Sequence, residues 1–285
     1  GTFPPPPTTM RLLFAHERIG ALGGAEANVL ATAEALGQRQ HAVGLLHGSG
    51  TNEGEAQWRD VFPARYPIGP AATGAAVDDA LDRFAPDAIF LHKFAAPALL
   101  PTLLASGRPI VRMVHDHDLY CMRGYKYHVL TRRICQRAAS AFCVFPCGAS
   151  IARGPGPGLS LRWVSYRAKR REIAENRQLN RLVVASRYMR DELLRNGFAA
   201  EQIEIHAPVP RAAAPADQPS FGPRNRIVYA GQIIRGKGVD VLLQALALVT
   251  TPFECVILGD GNQRAECEQL SVRLGLQDRV TFAGF

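Results

Sequence analysis

The chain has 285 residues, 47% of them apolar, a formal charge of +8 and a sequence pI near 9.5. That is enough apolar content for a real core, and enough length for one large domain or two of ordinary size. No apolar run approaches the ~20 residues of a membrane span, and six cysteines are too few for a disulfide scaffold in so long a chain, which points to a reducing cytosol. The positive charge admits nucleic acid, an anionic membrane face or a phosphorylated substrate as partner. The bias of Arg over Lys and the abundance of Ala attribute part of it to composition alone.

The opening GTFPPPPTT lacks the regions of a signal peptide and reads as a proline-rich tail over residues 1–9, with Met10 as a candidate initiator. Arg11–His16 is a short apolar strand. It runs into the loop GALGGAE (Gly20 to Glu26), then a helix from Ala25 to Gly37 and a strand over His41–Leu46. That order starts a doubly wound parallel sheet, whose ligands sit at the carboxyl ends of strands. A dinucleotide site would need G-x-G-x-x-G and an acid ending the second strand. Gly20, Gly23 and Gly24 have another spacing, and His47-Gly48 stands where the acid belongs.

Thr51 to Thr73 reads as loop. Helix and strand then alternate: Ala75–Phe84, Ala88–His92, Ala98–Ser106 and Pro109–Val114. The last strand ends in His115-Asp116-His117-Asp118, titratable groups where an α/β site is expected. Neighbours in an extended segment point opposite ways, which argues against one metal held by all four.

Cys121, Cys135, Cys143 and Cys147 follow, spaced C-x13-C-x7-C-x3-C. Four thiolates suit a structural zinc, with an iron–sulfur cluster as the weaker option; four unlinked buried thiols are the bland alternative. Beyond a glycine–proline loop, Arg162, Arg167, Lys169, Arg170 and Arg171 with Trp163 and Tyr166 read as a basic helical patch. It suits an anionic membrane surface or a solvated face. No nucleic-acid-binding motif accompanies the charge.

A strand over Arg181–Ser186, a helix over Arg187–Gly197 and a strand over Gln202–His206 close a first domain over residues 10–210. RAAAPADQPSFGP (211–223) is an interdomain linker. The part from 224 to 285 begins with a strand, Ile227–Ala230, a turn from Gly231 to Gly238, and a helix carrying Val239, Leu242, Leu243 and Leu246 on one face. Gly231, Gly236 and Gly238 allow close approach of backbone to a ligand. Arg235 and Lys237 add two cations, and the helix N-terminus adds unpaired N–H groups. The turn is therefore a candidate diphosphate seat, or else an ordinary turn with solvated basic residues. A strand over Phe253–Leu258, the loop Gly259-Asp260-Gly261-Asn262, a helix over Arg264–Leu274 and a strand over Val280–Phe282 complete the chain.

RIVYAGQIIRGKGVDVLLQAL, GGAE, the strand ending in HD and LGDG…LGLQDRVTFAGF resemble family 4 retaining glycosyltransferases. The resemblance covers residues 10–285 and implies the GT-B fold, two Rossmann-like domains with the second truncated here. It implies sugar transfer from a nucleoside-diphosphate sugar to a glycan or lipid-linked hydroxyl acceptor, in the cytoplasm or at the inner face of its membrane, in cell-surface polysaccharide or lipid-linked glycan synthesis. No cofactor is required for catalysis in that family, and no nucleic acid is a partner.

The resemblance places Gly231, Arg235, Lys237, Gly23 and Gly24 at the donor diphosphate, and Gly259 and Gly261 at the donor cleft. His115 falls beside the reacting sugar with Asp116 in support, and Glu26, Ser186 and Arg187 on the acceptor side. Gln232 replaces the family's first Arg, which shifts charge onto Arg235. The E-x7-E pair that the family carries farther along its second domain, past the point reached at Phe285, is not among these residues. A rival reading is a catalytically silent GT-B-like module that binds a glycan, a membrane or a partner.

Overall fold

The structure, a computed structural model, describes residues 9–20, 23–69, 74–94, 98–128, 133–153, 161–208, 225–234 and 236–284. The chain divides into two compact units, residues 1–212 and 213–285. The expected tail (to residue 8) and linker lie outside the described residues.

The first unit is wound around a seven-stranded parallel sheet. Its elements in chain order are β1 (Arg11–Ile19), α1 (Gly24–Gln38), β2 (Ala42–Gly50), α2 (Glu55–Val61), β3 (Ala64–Pro67), α3 (Gly74–Phe84), β4 (Ala88–Leu91), α4 (Leu99–Ala105) and β5 (Ile110–Val114). After a long irregular segment come the hairpin β6 (Ile151–Arg153) and β7 (Leu161–Trp163), then α5 (Tyr166–Asn176), β8 (Arg181–Val184), α6 (Arg187–Arg195) and β9 (Ile203–Ile205). The strand order is β3-β2-β1-β4-β5-β8-β9. The chain starts at β1, winds outward to β3, then crosses back to β4 and winds the other way.

Period-two alternation in β1 decides which layer each residue joins. Leu13 and Ala15 pack with Val77, Leu81, Phe84, Leu99 and Leu103 of α3 and α4. Phe14 faces the other way, onto Val29, Leu30 and Ala33 of α1 and Trp58 of α2. The sheet is thus covered on both faces, as its near-continuous apolar strands require. Farther along, Ile173 of α5 and Met189 and Leu193 of α6 pack on Leu182 and Val184 of β8.

Two expectations are corrected. Thr51–Thr73 is not all loop: it holds α2 and the edge strand β3. Trp58 and Phe62, one helical turn apart, are both fully buried, and their burial stabilises a helix too short to show periodicity. Arg162 and Trp163 belong to β7, and the basic helix starts only at Tyr166, where the Ser165 hydroxyl accepts the Ala168 N–H at 3.3 Å.

The second unit holds β10 (Arg226–Ala230), α7 (Val239–Leu246), β11 (Glu254–Leu258), α8 (Arg264–Arg273) and β12 (Val280–Gly284). The three strands are parallel in the order β10-β11-β12. Their core is Ile233, Val239, Leu243, Leu246, Cys255, Ile257 and Cys267. Among the described residues no helix is long and apolar enough to cross a membrane.

Candidate active site

Three neighbouring strands of the first sheet, β1, β4 and β5, each bring a histidine to the carboxyl side of the sheet. His16 lies in β1, His92 follows β4 and His115 follows β5. His92 and His16 are almost wholly buried, while His115 is half-buried. His92 Nδ1 and His115 Nε2 are 2.8 Å apart, with the ring planes 19° from parallel. His16 and His92 meet edge to face at 6.0 Å.

The electrostatics of the trio follow from burial. Desolvation, then the neighbouring imidazole of His115, holds His92 well below the ordinary histidine range. Burial and the nearby His16 ring push His115 down to about 4. Both rings are therefore neutral at pH 7, and one N–H bridges them. His92 Nε2 is buried with no partner. An orphaned acceptor is tolerated better than an orphaned buried N–H, so His92 Nδ1–H is the donor and His115 Nε2 the acceptor. That fixes the His115 proton on Nδ1, the tautomer set by a neighbour in the usual way.

Carboxylates frame the trio. His16 Nε2 donates to Glu26 Oε1 at 3.1 Å, and this bond holds the Glu26 carboxyl below its usual range. His16 also stacks on Trp58, whose indole N–H donates to the Gly20 carbonyl at 3.1 Å. Lys93 donates to Asp116 at 3.0 Å and also to Asp118. Burial alone would depress its ammonium, but the two carboxylates outweigh burial and raise it. Burial likewise opposes ionisation of Asp116, yet the Asp118 N–H at 2.9 Å and Lys93 hold its pKa below the usual value. His117 turns to Tyr120, its Nδ1 2.7 Å from the hydroxyl.

His115 and Asp116 thus belong to one polar cluster. His16, His92 and Lys93 were missed by sequence reasoning, because a lone polar residue ending an apolar strand carries no motif. Their shared signal is position: His16 lies in the carboxyl-terminal half of β1, and His92 and Lys93 come just past the end of β4. Asp118, from the same run, is paired with Lys93.

Gly23 and Gly24 need no glycine backbone. Gly23 is extended, a Cβ there would make ordinary contact, and nothing lies within 4 Å of a Cβ at Gly24. What they contribute is a bare start to α1, with Glu26 in its first turn. Ser186 caps α6, accepting the Met189 N–H at 3.3 Å, and Arg187 is exposed in the first turn.

The second unit carries the glycine turn expected to receive a diphosphate. Gly238, at φ +77°, is the left-handed residue that starts α7. Gly259 (φ +139°) has no room for a side chain, since its Cβ would fall 1.9 Å from the Gly231 carbonyl. Gly261 is as tight, its Cβ reaching 2.3 Å from the Ile233 carbonyl. The two loops are tied by backbone, with Ile233 N donating to Asp260 O at 2.8 Å and Gln263 N to Ile233 O at 3.0 Å. Lys237 stands exposed just before α7, with no carboxylate partner among the described residues. Arg235 lies outside the described residues.

Comparison with known proteins gives the family of the chain. The Glycosyltransferase Family 4 model matches residues 22–208, and the Glycosyl transferases group 1 model matches residues 211–285. The chain belongs to glycosyltransferase family 4. The alpha-D-kanosaminyltransferase of Streptomyces kanamyceticus is 33% identical over 91 residues, which is 31% of this chain and 24% of that enzyme's length. The structure of HepE from Anabaena, in complex with UDP and glucose, superposes with a TM-score of 0.62 at 17% identity, over 97% of this chain and 69% of that one. The apo lipopolysaccharide outer core galactosyltransferase WaaB does so with a TM-score of 0.60 at 15% identity, over 97% and 68%. Likeness at this identity establishes the GT-B fold, as expected from the motifs.

The irregular segment after β5 carries the four spaced cysteines. All are free thiols lining one pocket with Tyr120, Arg123, Lys126 and Phe142 among its other walls. Burial pushes the Cys143 thiol up; the Ser140 backbone opposes this, and the neighbouring thiols add smaller upward contributions. Among the described residues no group of three or more His, Cys, Asp or Glu is gathered to hold a single metal ion. The segment is fastened to α6 by a buried ion pair, Lys126 Nζ to Glu192 Oε2 at 2.8 Å.

Proposed function

We propose that this chain acts as a retaining glycosyltransferase, moving a sugar from a nucleoside-diphosphate sugar to a hydroxyl acceptor. The observation that carries it is the neutral, tautomer-fixed His115 at the carboxyl end of β5 in a family 4 chain. A neutral imidazole whose remaining N–H is on Nδ1 can donate to a sugar hydroxyl without placing a cation beside an anomeric carbon that becomes positive. Asp116 would support it from the same loop, and Glu26, Ser186 and Arg187 would stand toward the acceptor.

Lys237, Arg235, Gly231 and the start of α7 would receive the diphosphate, with Gly23 and Gly24 at the bare start of α1. Gly259 and Gly261 would shape the donor loop by holding it close to Gly231–Ile233. Charge on the leaving diphosphate would then be met by a lysine and helix N–H groups, fixed donors aimed at developing negative charge. In a retaining reaction the departing phosphate can take the acceptor's proton. The UDP bound by HepE and the lipopolysaccharide substrate named for WaaB support a nucleotide-sugar donor and a cell-surface or lipid-linked glycan acceptor.

Such an acceptor places the enzyme in the cytoplasm against the inner face of a membrane. Leu161 and Trp163 are both more than 70% exposed, and Arg162, Arg167, Arg170 and Arg171 beside them are exposed too. An apolar edge flanked by arginines suits an anionic leaflet.

The test is donor turnover by the full-length polypeptide. Lys237→Ala is expected to lower kcat by ~10²-fold, as loss of one preorganised charge does. An unchanged kcat would remove Lys237 from the diphosphate site.

A further inference from the structure

We infer that Lys93 is a positioning residue for sugar transfer: it clamps Asp116 and Asp118, and through them sets the loop that leaves β5 with His115. The inference rests on the reading of that loop as part of a glycosyltransferase site.

Lys93 is anchored on one side and reaches to the other. Past the end of β4 the backbone stays zipped to β1, with His92 N donating to Ala15 O at 2.9 Å and Glu17 N donating to Lys93 O at 2.7 Å. The side chain crosses the opposite way, to the loop after the neighbouring strand β5. There its ammonium donates to Asp116 Oδ2 at 3.0 Å and to Asp118. One residue thereby joins the ends of β1, β4 and β5, the strands that supply His16, His92 and His115.

The loop is built to be held this way. The Asp118 N–H donates to Asp116 Oδ1 at 2.9 Å, so both oxygens of Asp116 are engaged and its orientation is set. From α5, Lys169 donates to the Asp118 carbonyl and to Glu172 at 2.6 Å. Farther along, the His117 carbonyl accepts the Cys121 N–H at 2.8 Å. Arg112 of β5 lies within electrostatic reach of Glu172, Asp116 and Asp118. Lys93, Lys169 and Arg112 thus balance Asp116, Asp118 and Glu172. Without Lys93, two carboxylates two residues apart lose the cation that grips both, and their repulsion opens the loop.

Folding stability is not what the clamp serves. The side chains of Lys93, Asp116 and Asp118 are 40%, 42% and 47% exposed, and ion pairs that water reaches contribute little to stability. Orientation at a reacting centre is worth more, since a misplacement of about 1 Å can cost ~10²-fold in rate.

Lys93→Met keeps the stem and removes the charge. In the full-length polypeptide it should lower kcat roughly 10- to 100-fold, with donor and acceptor KM little changed and Tm unmoved. Lys93→Arg should restore most of the rate. The losses of Lys93→Met and Asp118→Asn should not multiply in the double variant, because both break the same clamp. Hydrogen exchange gives a readout independent of turnover: amides 116–121 should exchange faster in Lys93→Met while those of β5 do not change. Faster exchange in a chain that transfers no sugar would support the clamp and remove the glycosyltransferase reading instead. Unchanged exchange would overturn the inference. So would a raised acceptor KM with losses that multiply, which would put Lys93 on the substrate.

Discussion

His92 touches no surface, yet the reading of His115 depends on it. By donating from Nδ1 it leaves His115 with its proton on Nδ1 and an engaged Nε2. Replacing His92 with Phe keeps the aromatic packing against Phe14 and Phe90 but frees the His115 tautomer. We expect kcat to fall by about 10-fold or more with KM little changed, the pattern of a lost contribution confined to the transition state. A matching rise in KM at constant kcat would show that His92 serves substrate binding instead.

The same pair gives a signed pH dependence. His92 and His115 are depressed in the folded chain, so below their unfolded value of 6.5 the unfolded state binds protons that the folded state refuses. Their contribution to stability is complete above pH 6.5 and is lost as pH falls toward about 4, where His115 also titrates in the fold. Glu26 and Asp116 add an acid loss only below their ordinary values of 4.5 and 3.8. Tm measured from pH 7 to pH 4 should therefore decline early, and His92→Phe should flatten that decline.

At the scale of elements, the long alternations were legible because periodicity and turn chemistry agree. Helices α1 and α3, strands β1, β2 and β5, and the glycine turn before α7 fall within a few residues of their expected bounds. Helix α2 was not legible, since seven residues with two apolar anchors look like loop until the sheet supplies a partner. Its anchor Trp58 is fully buried between His16 and Phe62. Trp58→Ala should cost roughly 3–5 kcal/mol of unfolding free energy, the usual range for a large aromatic. A loss under about 1 kcal/mol, the level of ordinary surface changes, would mean that α2 is not fixed to the sheet.

The site was half legible for a related reason. His115 and Asp116 announced themselves as a run at a strand end. His16, His92 and Lys93 come from strands far apart in sequence that only the order β1-β4-β5 makes neighbours. The glycines at 259 and 261 were found by motif, but their physical reason, a carbonyl within 2.3 Å of each Cβ, is a tertiary fact.

For the molecule as a whole, the charge of +8 acquires a place. Exposed arginines of β7 and α5 lie close in sequence to the exposed Leu161 and Trp163. Each basic residue near an anionic leaflet contributes about 1 kcal/mol. Converting Arg167, Arg170 and Arg171 together to Glu should abolish co-sedimentation with phosphatidylglycerol vesicles at low salt. Neutral phosphatidylcholine vesicles should bind poorly from the start. Equal binding to both would leave the apolar edge alone responsible.

The most direct test of the account is turnover of a panel of nucleoside-diphosphate sugars by the full-length polypeptide, read as acceptor-dependent release of nucleoside diphosphate. The account predicts release with one donor, product with the donor's anomeric configuration, and loss of turnover in His115→Ala with the fold intact by circular dichroism. Donor binding without turnover, or a His115→Ala variant as active as the parent, would contradict it.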